Sequence, residues 1–421
     1  MTARCGAGFP AWQSASERRT LPLVKVLALN CGSSSVKFRL FEVDERGDRE
    51  RRSSLGGGLV ERIGGAADLT FEQAGRPALR ETTPIADHEA AVRRILDWIR
   101  QEAVDLDAVG HRVVHGGERF VQPTVIDGAV TGAIEALEEL APLHNGPSLA
   151  GIRACRSALG ARVPLVAVFD TAFHATLPEH ASVYGIPHEL AKRHGIRRFG
   201  FHGLSYQSVV SRYASLAGLP EAAVTIVAMH LGNGASAAAI SGGRSVDTSM
   251  GFTPLEGLLM GTRSGDLDPA LVGYLARREG TSVDEVERWL NEQSGLLGLS
   301  GRSRDMRDLI TARAGDTRAR LAVDVFCHRA RKYLGAYLAV LGGARAVVFT
   351  GGIGEHSREV RAEICRGAAW CGLALDPDLN GQMIGRPGRI SAAGSPLEAW
   401  VIPTDEEQVV AKETARCLAA R

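Results

Sequence analysis

The pattern that most constrains this chain is one it contains twice: a strand, a short glycine/serine turn and a second strand. The first copy reads VKVLALN, CGSSS and VKFRLFEV from Val24 onward, and the second reads VTIVAMHL, GNGAS and AAAISGGRSV from Val224 onward. Repetition of such a hairpin predicts an internal duplication and hence two similar lobes facing one another. A third segment, AVVFTGGIGEHSREVRAEIC, starts as a buried strand, turns through Gly351, Gly352 and Gly354, and continues as a helix whose first NH groups face the turn. Between these lie HEAAVRRILDWIRQEA and LAVDVFCHRARKYLGAYLAVL, whose apolar residues recur at helical spacing. Strands alternating with helices make this an α/β chain.

The length, 421 residues, exceeds the roughly 250–300 residues at which one hydrophobic core stops growing. Two domains with a cleft between them are therefore expected. Residues 1–22 lack the apolar core of a secretory signal and are expected to be a disordered leader, or sequence ahead of the native start. Residues 23–171 form the expected first lobe and 172–407 the second, with a terminal helix over 408–421 packing back on the first.

Lys plus Arg number 49 against 48 Asp plus Glu, a net charge of +1, so no overall field draws the chain to nucleic acid or to anionic lipid. No apolar run reaches the roughly 18 residues of a membrane span. Seven scattered cysteines have neither zinc nor redox spacing and read as reduced core thiols. Small molecules are the expected partners, and the 49 glycines suit turns that abut them.

The familiar phosphate devices are absent: there is no GxxxxGK[ST], no GxGxxG, no HRD or DFG set, no GxSxG and no HExxH. What remains is short turns joined to strands, presenting NH groups and hydroxyls in succession. Asn30, Gly32, Ser33, Ser34, Ser35 and Lys37 make the densest of them, although an ordinary polar hairpin has the same composition. His230, Gly232, Asn233 and Gly234 close the second buried strand. Arg112 lies in GHRVVHGGERF, a segment too apolar to waste a guanidinium, and Arg263 lies in DTSMGFTPLEGLLMGTRSGDLDP. Two arginines converging on one cleft suit a pair of anions, because a guanidinium binds carboxylate or phosphate in a bidentate way.

Ten blocks then appear in order: NCGSSSVK, GHRVVHGG, LAPLHNGPS, VFDTAFH, RRFGFHGLSY, HLGNGAS, DTSMGFTPLEGLLMGTRSGDLDP, SGLLGLSGRSRDMR, FTGGIGEHS and IPTDEE. Together they resemble the acetate kinase family from Val24 to the C-terminus. The resemblance implies two duplicated actin-like ATPase lobes of ribonuclease H-like fold with ATP or ADP between them, Mg²⁺ as metal, and acetate or another short-chain carboxylate exchanged with acetyl phosphate. It also implies a cytoplasmic homodimer, with no nucleic acid or membrane partner. A propionate or butyrate kinase would share the phosphate turns and differ in the acyl pocket. An actin- or chaperone-like ATPase module is the reading from another class.

Carried over residue by residue, the resemblance implies Arg112 and Arg263 flanking the transferring group, with Asn233 and His202 on its oxygens and His144 in support. Asp170, a carboxylate beside an anionic reaction, is assigned to organising magnesium, its water or an arginine. Asn30 and Glu406 are the implied metal positions, with Glu407 an adjacent alternative. His230, Leu231, Gly232, Asn233 and Gly234 meet the phosphates, with Ser33, Ser35 and Lys37 opposite. Asp305, Met306 and Arg307 meet base and ribose, and Gly352, Ile353, Gly354, Glu355 and His356 run along the adenosine. The family commonly has Asn where His356 stands. Val114, Leu143, Phe201 and Pro254 match the family's acyl pocket.

Overall fold

A computed structural model describes residues 23–44, 53–73, 75–138 and 142–420. The expected leader, 1–22, lies outside them. The first lobe is built on β1 (Leu23–Cys31), β2 (Ser35–Asp44), β3 (Ser53–Glu61), β4 (Gly65–Gln73), β5 (Leu79–Ile85), β6 (Ala108–Val113), β7 (Thr124–Val125) and β8 (Leu165–Phe169). The second is built on β9 (Ile226–Leu231), β10 (Ala235–Ser241), β11 (Arg244–Thr248), β12 (Ala346–Thr350), β13 (Gly388–Arg389) and β14 (Glu398–Val401).

The strand orders are β5-β4-β3-β2-β1-β6-β8-β7 and β11-β10-β9-β12-β14-β13. In the first sheet β3, β2 and β1 pair antiparallel while β1, β6 and β8 run parallel. In the second, β11, β10 and β9 pair antiparallel while β9, β12 and β14 run parallel. The duplication read in two hairpins thus extends over five strands of each lobe.

Each sheet is covered on both faces, which is why its central strands are apolar on both. From β1, Leu27 and Leu29 face the helices His88–Gln101 and Pro142–Leu159. Val26 and Ala28 instead face Val409, Val410, Ala411 and Ala415 of the terminal helix. That helix, Glu406–Ala419, packs on the first sheet and begins at Glu406, because the Asp405 carboxylate caps it by accepting from the Gln408 N–H at 3.1 Å. Burying one such valine contributes about 1.5–3 kcal/mol. Gly110 permits the contact, since a Cβ there would lie 2.3 Å from Thr414 Oγ1.

In the second lobe, Val227 and Met229 of β9 face the helix Thr317–Leu341, whereas Ile226 and Ala228 face the helix Gly203–Ala217. Leu204 of that last helix joins the cluster around the terminal helix, so the lobes meet through these two helices. Cys31, Cys155, Cys327 and Cys365 are buried thiols and Cys371 and Cys417 half-buried ones. Among the described residues no helix is long and apolar enough to cross a membrane.

Candidate active site

Parallel strands deliver their C-terminal ends to one edge of a sheet, and ligands of open α/β sheets gather there. At that edge Asn30 ends β1, Arg112 sits near the end of β6 and Asp170 follows β8. The Arg112 guanidinium donates from Nη1 to Asn30 Oδ1 at 2.9 Å, from Nε to Asp170 Oδ1 at 3.1 Å and from Nη2 to Asp170 Oδ2 at 2.5 Å. Glu406 Oε2 stands 3.6 Å from the same Nε. Burial works against the charge of Arg112, but Asp170 and Glu406 more than offset it and hold the guanidinium above its ordinary pKa. Burial pushes both carboxyls up against the pull of Arg112.

The buried Asp170 and half-buried Glu406 carboxylates sharing one guanidinium, with the Asn30 amide oxygen beside it, leave a locally negative pole. Among the described residues no three His, Cys, Asp or Glu side chains form a metal cage. Mg²⁺ does not need one, because it keeps several waters and takes phosphate oxygens as ligands. Asn30 and Glu406, with Asp170 beside them, therefore fit a hydrated Mg²⁺. Glu407 turns away and binds Lys37 Nζ at 2.9 Å, so Lys37 reaches this carboxylate. Ser33 is exposed in the turn closed by Gly32 N–H donating to the Ser35 carbonyl at 2.8 Å.

The second lobe supplies the other wall. His202 caps the helix Gly203–Ala217 from a left-handed backbone (φ 59°, ψ 25°), and its ring stacks on that of His230 with centroids 4.1 Å apart. A Cβ on Gly234 would lie 3.3 Å from His202 Nε2 and 3.9 Å from Arg263 Nη1, and one on Gly232 would lie 3.7 Å from His230 Nε2. Both imidazoles and Arg263 thus border the Gly232–Asn233–Gly234 turn, and Arg263 donates from Nη1 to the Pro254 carbonyl at 3.3 Å. Asn233 lies against Gly261, whose N–H donates to the Asn233 carbonyl at 2.9 Å. Burial, then Arg112, lowers His230 to about 4; burial, His230 and the charges of Arg112 and Arg263 hold His202 well below the ordinary imidazole range. The charge of Arg112 thus acts on both rings, and that of Arg263 on His202.

A cleft of about 830 Å³ opens beside the turn. Gly232, Asn233, Asp305, Met306, Arg307, Gly352, Ile353 and His356 of the expected nucleotide set line it. Three others do other work. Leu231 is core, and Gly354 packs on Phe349. Glu355 accepts from the Gly351 and Thr404 N–H groups at 2.9 and 3.2 Å. Arg304, Ile310, Thr311, Ser357 and Glu359 also line the cleft; for Ile310 and Thr311 the signal was helical spacing from Met306 and Arg307.

Val114 and Phe201 are buried in one apolar cluster. Leu143 and His144 fall in the first turn of the helix Pro142–Leu159, and their side chains lie outside the described residues. Sequence reasoning missed the groups that brace this wall. Asn145 clasps the main chain of His115, accepting from its N–H at 3.1 Å and donating to its carbonyl at 3.3 Å. Arg198 holds Glu256 at 2.6 Å, and Glu256 accepts from the Tyr184 hydroxyl at 2.5 Å, which tethers the loop carrying Pro254. Arg361, fully buried, donates to the carbonyls of Gly354, Glu355, Asn380 and Met383 and to Asn380 Oδ1 at 2.8–3.0 Å, so it fixes the helix Gly351–His356 that borders the cleft.

Two matching α/β lobes, a glycine turn beside a cleft of about 830 Å³, and an arginine from each lobe suit a phosphotransferase. The sequence profile of the Acetokinase family matches residues 25–412, and the chain belongs to that family. An acetate kinase of Solibacter usitatus is 52% identical over 407 residues, 94% of this chain and 98% of that relative. The crystal structure of Porphyromonas gingivalis acetate kinase is 39% identical with a TM-score of 0.84, covering 94% of this chain and 100% of that one. A propionate kinase from Francisella tularensis is 38% identical with a TM-score of 0.85, covering 93% and 99%.

Proposed function

We propose that this protein is an acetate kinase, catalysing reversible Mg²⁺-dependent transfer of a phosphoryl group between ATP and acetate, directly and in line. The observation that supports it most is Arg263 bordering the Gly232–Asn233–Gly234 turn beside the stacked His202 and His230, while Arg112 of the other lobe is held by Asn30 and Asp170 and its charge is felt at both rings. A carboxylic acid with a pKa like that of Glu, about 4.3, is already an anion at neutral pH, so no general base is needed. The difficulty is repulsion between two anions, and the two guanidiniums relieve it. His202 and Asn233 hold the phosphoryl oxygens. Asp170, bound to Arg112 on both its oxygens, orients that guanidinium and takes no proton. Bound at Asn30 and Glu406, Mg²⁺ would neutralise charge on the phosphate oxygens.

The nucleotide is assigned to the cleft along Asp305–Arg307 and Gly352–His356, and the methyl of acetate to Val114, Phe201 and Pro254, with Leu143 completing that wall. His144 is assigned to supporting the transition state. The lobes divide at the short helix Asp170–Thr176, and the protein acts as a cytoplasmic homodimer. The similarity to a propionate kinase makes propionate the second candidate, because an apolar pocket discriminates one methylene by only about 1–3 kcal/mol. The test is a series of short carboxylates with ATP and Mg²⁺, trapping acyl phosphate with hydroxylamine. Acetate should give the highest kcat/KM; ATP hydrolysis indifferent to carboxylate, with no acyl phosphate, would overturn the assignment.

A further inference from the structure

Behind the stacked imidazoles lies a set of hydroxyls that no step described so far uses. The helix Gly203–Ala217 and the β9–β10 hairpin exchange partners across their interface. His202, capping the helix, places Nδ1 2.8 Å from Ser236 Oγ of the hairpin, and His230 of the hairpin places Nδ1 2.8 Å from Ser205 Oγ of the helix. Ser236 and His230 stand opposite each other in the β10–β9 register, so their side chains share one face. Tyr206, one residue along the helix, puts its hydroxyl 2.5 Å from Ser236 Oγ. Ser205, Tyr206 and Ser236 are each 0% exposed.

Burial fixes the direction of these bonds. If His202 donated from Nδ1 to Ser236, Ser236 would donate to Tyr206, and the buried Tyr206 hydroxyl proton would have no acceptor among the described residues. Stranding a buried donor costs about 1–3 kcal/mol. The opposite direction satisfies every group: Tyr206 donates to Ser236, Ser236 donates to His202 Nδ1, and the ring proton sits on Nε2. The same reasoning applies to His230, because among the described residues Ser205 has no other acceptor for its proton. Each Nε2 is the atom nearest the Gly232–Gly234 turn.

We infer that Ser205, Ser236 and Tyr206 are positioning residues that lock His202 and His230 as a parallel pair of Nε2–H donors aimed at the phosphoryl group. This rests on the proposed reading of the site as one for phosphoryl transfer. A ring with the other tautomer would present a lone pair to anionic oxygens and repel them. The crossed pairs also hold His202 in its left-handed backbone, which a non-glycine residue leaves readily when unsupported.

The tautomer can be read without turnover, by two-bond ¹H–¹⁵N correlation on protein labelled at histidine, with His202→Gln and His230→Gln assigning the signals. Both rings should show a protonated Nε2 and an unprotonated Nδ1. In Ser236→Ala the His202 signals should shift toward a tautomer mixture, and kcat should fall by about 10-fold or more with KM for nucleotide changed little, as expected for a misaimed transition-state donor. Near-isosteric Tyr206→Phe should move both readouts the same way, and Ser236→Thr should restore them; Tyr206→Phe carries the test should Ser236→Ala not fold. A protonated Nδ1 on wild-type His202, or unchanged kcat in both Tyr206→Phe and Ser236→Ala, would overturn the inference. Acyl phosphate formation by the wild type judges the reading of the site separately.

Discussion

Replacing Gly203 by alanine puts the site geometry to a direct test, because the added methyl has nowhere to go. Its Cβ would lie 2.0 Å from the Asp170 carbonyl oxygen and 2.8 Å from Phe173 Cβ. Restoring an ordinary separation of about 3 Å or more requires on the order of 1 Å of movement, and both walls that could move carry site residues. On one side is His202, immediately before Gly203; on the other is Asp170, whose side chain holds Arg112. A misplacement of about 1 Å costs roughly 10²-fold in rate, or about 2.7 kcal/mol in the barrier. Overpacking should also lower stability by about 1–3 kcal/mol, partly offset by the better helix propensity of alanine, about 1 kcal/mol.

The assay is hydroxamate formation at saturating ATP and acetate, beside urea unfolding of the same preparation. Gly203→Ala should lose kcat about 10²-fold while KM for ATP stays near wild type, since the residues lining the nucleotide cleft are elsewhere. Gly335→Ala, in the middle of the helix Thr317–Leu341 with nothing near its Cβ, should keep wild-type kcat and gain a little stability. A folded Gly203→Ala enzyme with kcat within about threefold of wild type would refute the claim that Asp170 and the start of this helix are held in a fixed mutual position.

Arg112→Ala and Arg263→Ala should each lower turnover by roughly 10²-fold or more, as removal of one transition-state donor does; near-normal turnover would remove that guanidinium from the mechanism. Val114→Ala should raise kcat/KM for propionate relative to acetate, and an unchanged ratio would contradict the acyl-pocket assignment. Arg361→Met leaves the carbonyls of Gly354, Asn380 and Met383 without their donor. At about 1–3 kcal/mol each, denaturant unfolding should show a loss of about 3 kcal/mol or more, and KM for ATP should rise. Acid should destabilise the fold through its buried histidines: His111 is lowered to about 3, and His115, His174 and His230 to about 4, in each case chiefly by burial. Below pH 6.5 the unfolded chain binds protons these rings refuse, so each contributes stability that is full above about 6.5 and falls by about 1.4 kcal/mol per pH unit toward its folded value. The raised Asp170, Glu406 and Asp247 act in the opposite sense, three groups against these four imidazoles. The urea midpoint should therefore be lower at pH 5.5 than at pH 7.5, and a flat profile would contradict it.

What could be read from the sequence was whatever recurs at short range. The hairpins β1–β2 and β9–β10 and the strand, turn and helix around Gly351 were visible because period-two burial and glycine turns are local signals. Arg112 was suspicious for its apolar setting, but its partners Asn30 and Asp170 lie 82 and 58 residues away, and only the parallel order β1-β6-β8 brings them together. Glu406 and Glu407 were indistinguishable as neighbours. The helix that begins at Glu406 separates them: successive residues on a helix point about 100° apart, so one carboxylate meets Arg112 and the other meets Lys37. Ser205, Tyr206 and Ser236 gave no signal at all, since a serine in a first helical turn or on a strand is unremarkable until the fold pairs it with a particular imidazole nitrogen. The charged groups gathered at the site were thus legible by residue type. The hydroxyls that orient the two imidazoles were not, because hydroxyl direction is decided by which buried proton would otherwise lack an acceptor, and that depends on the complete set of neighbours.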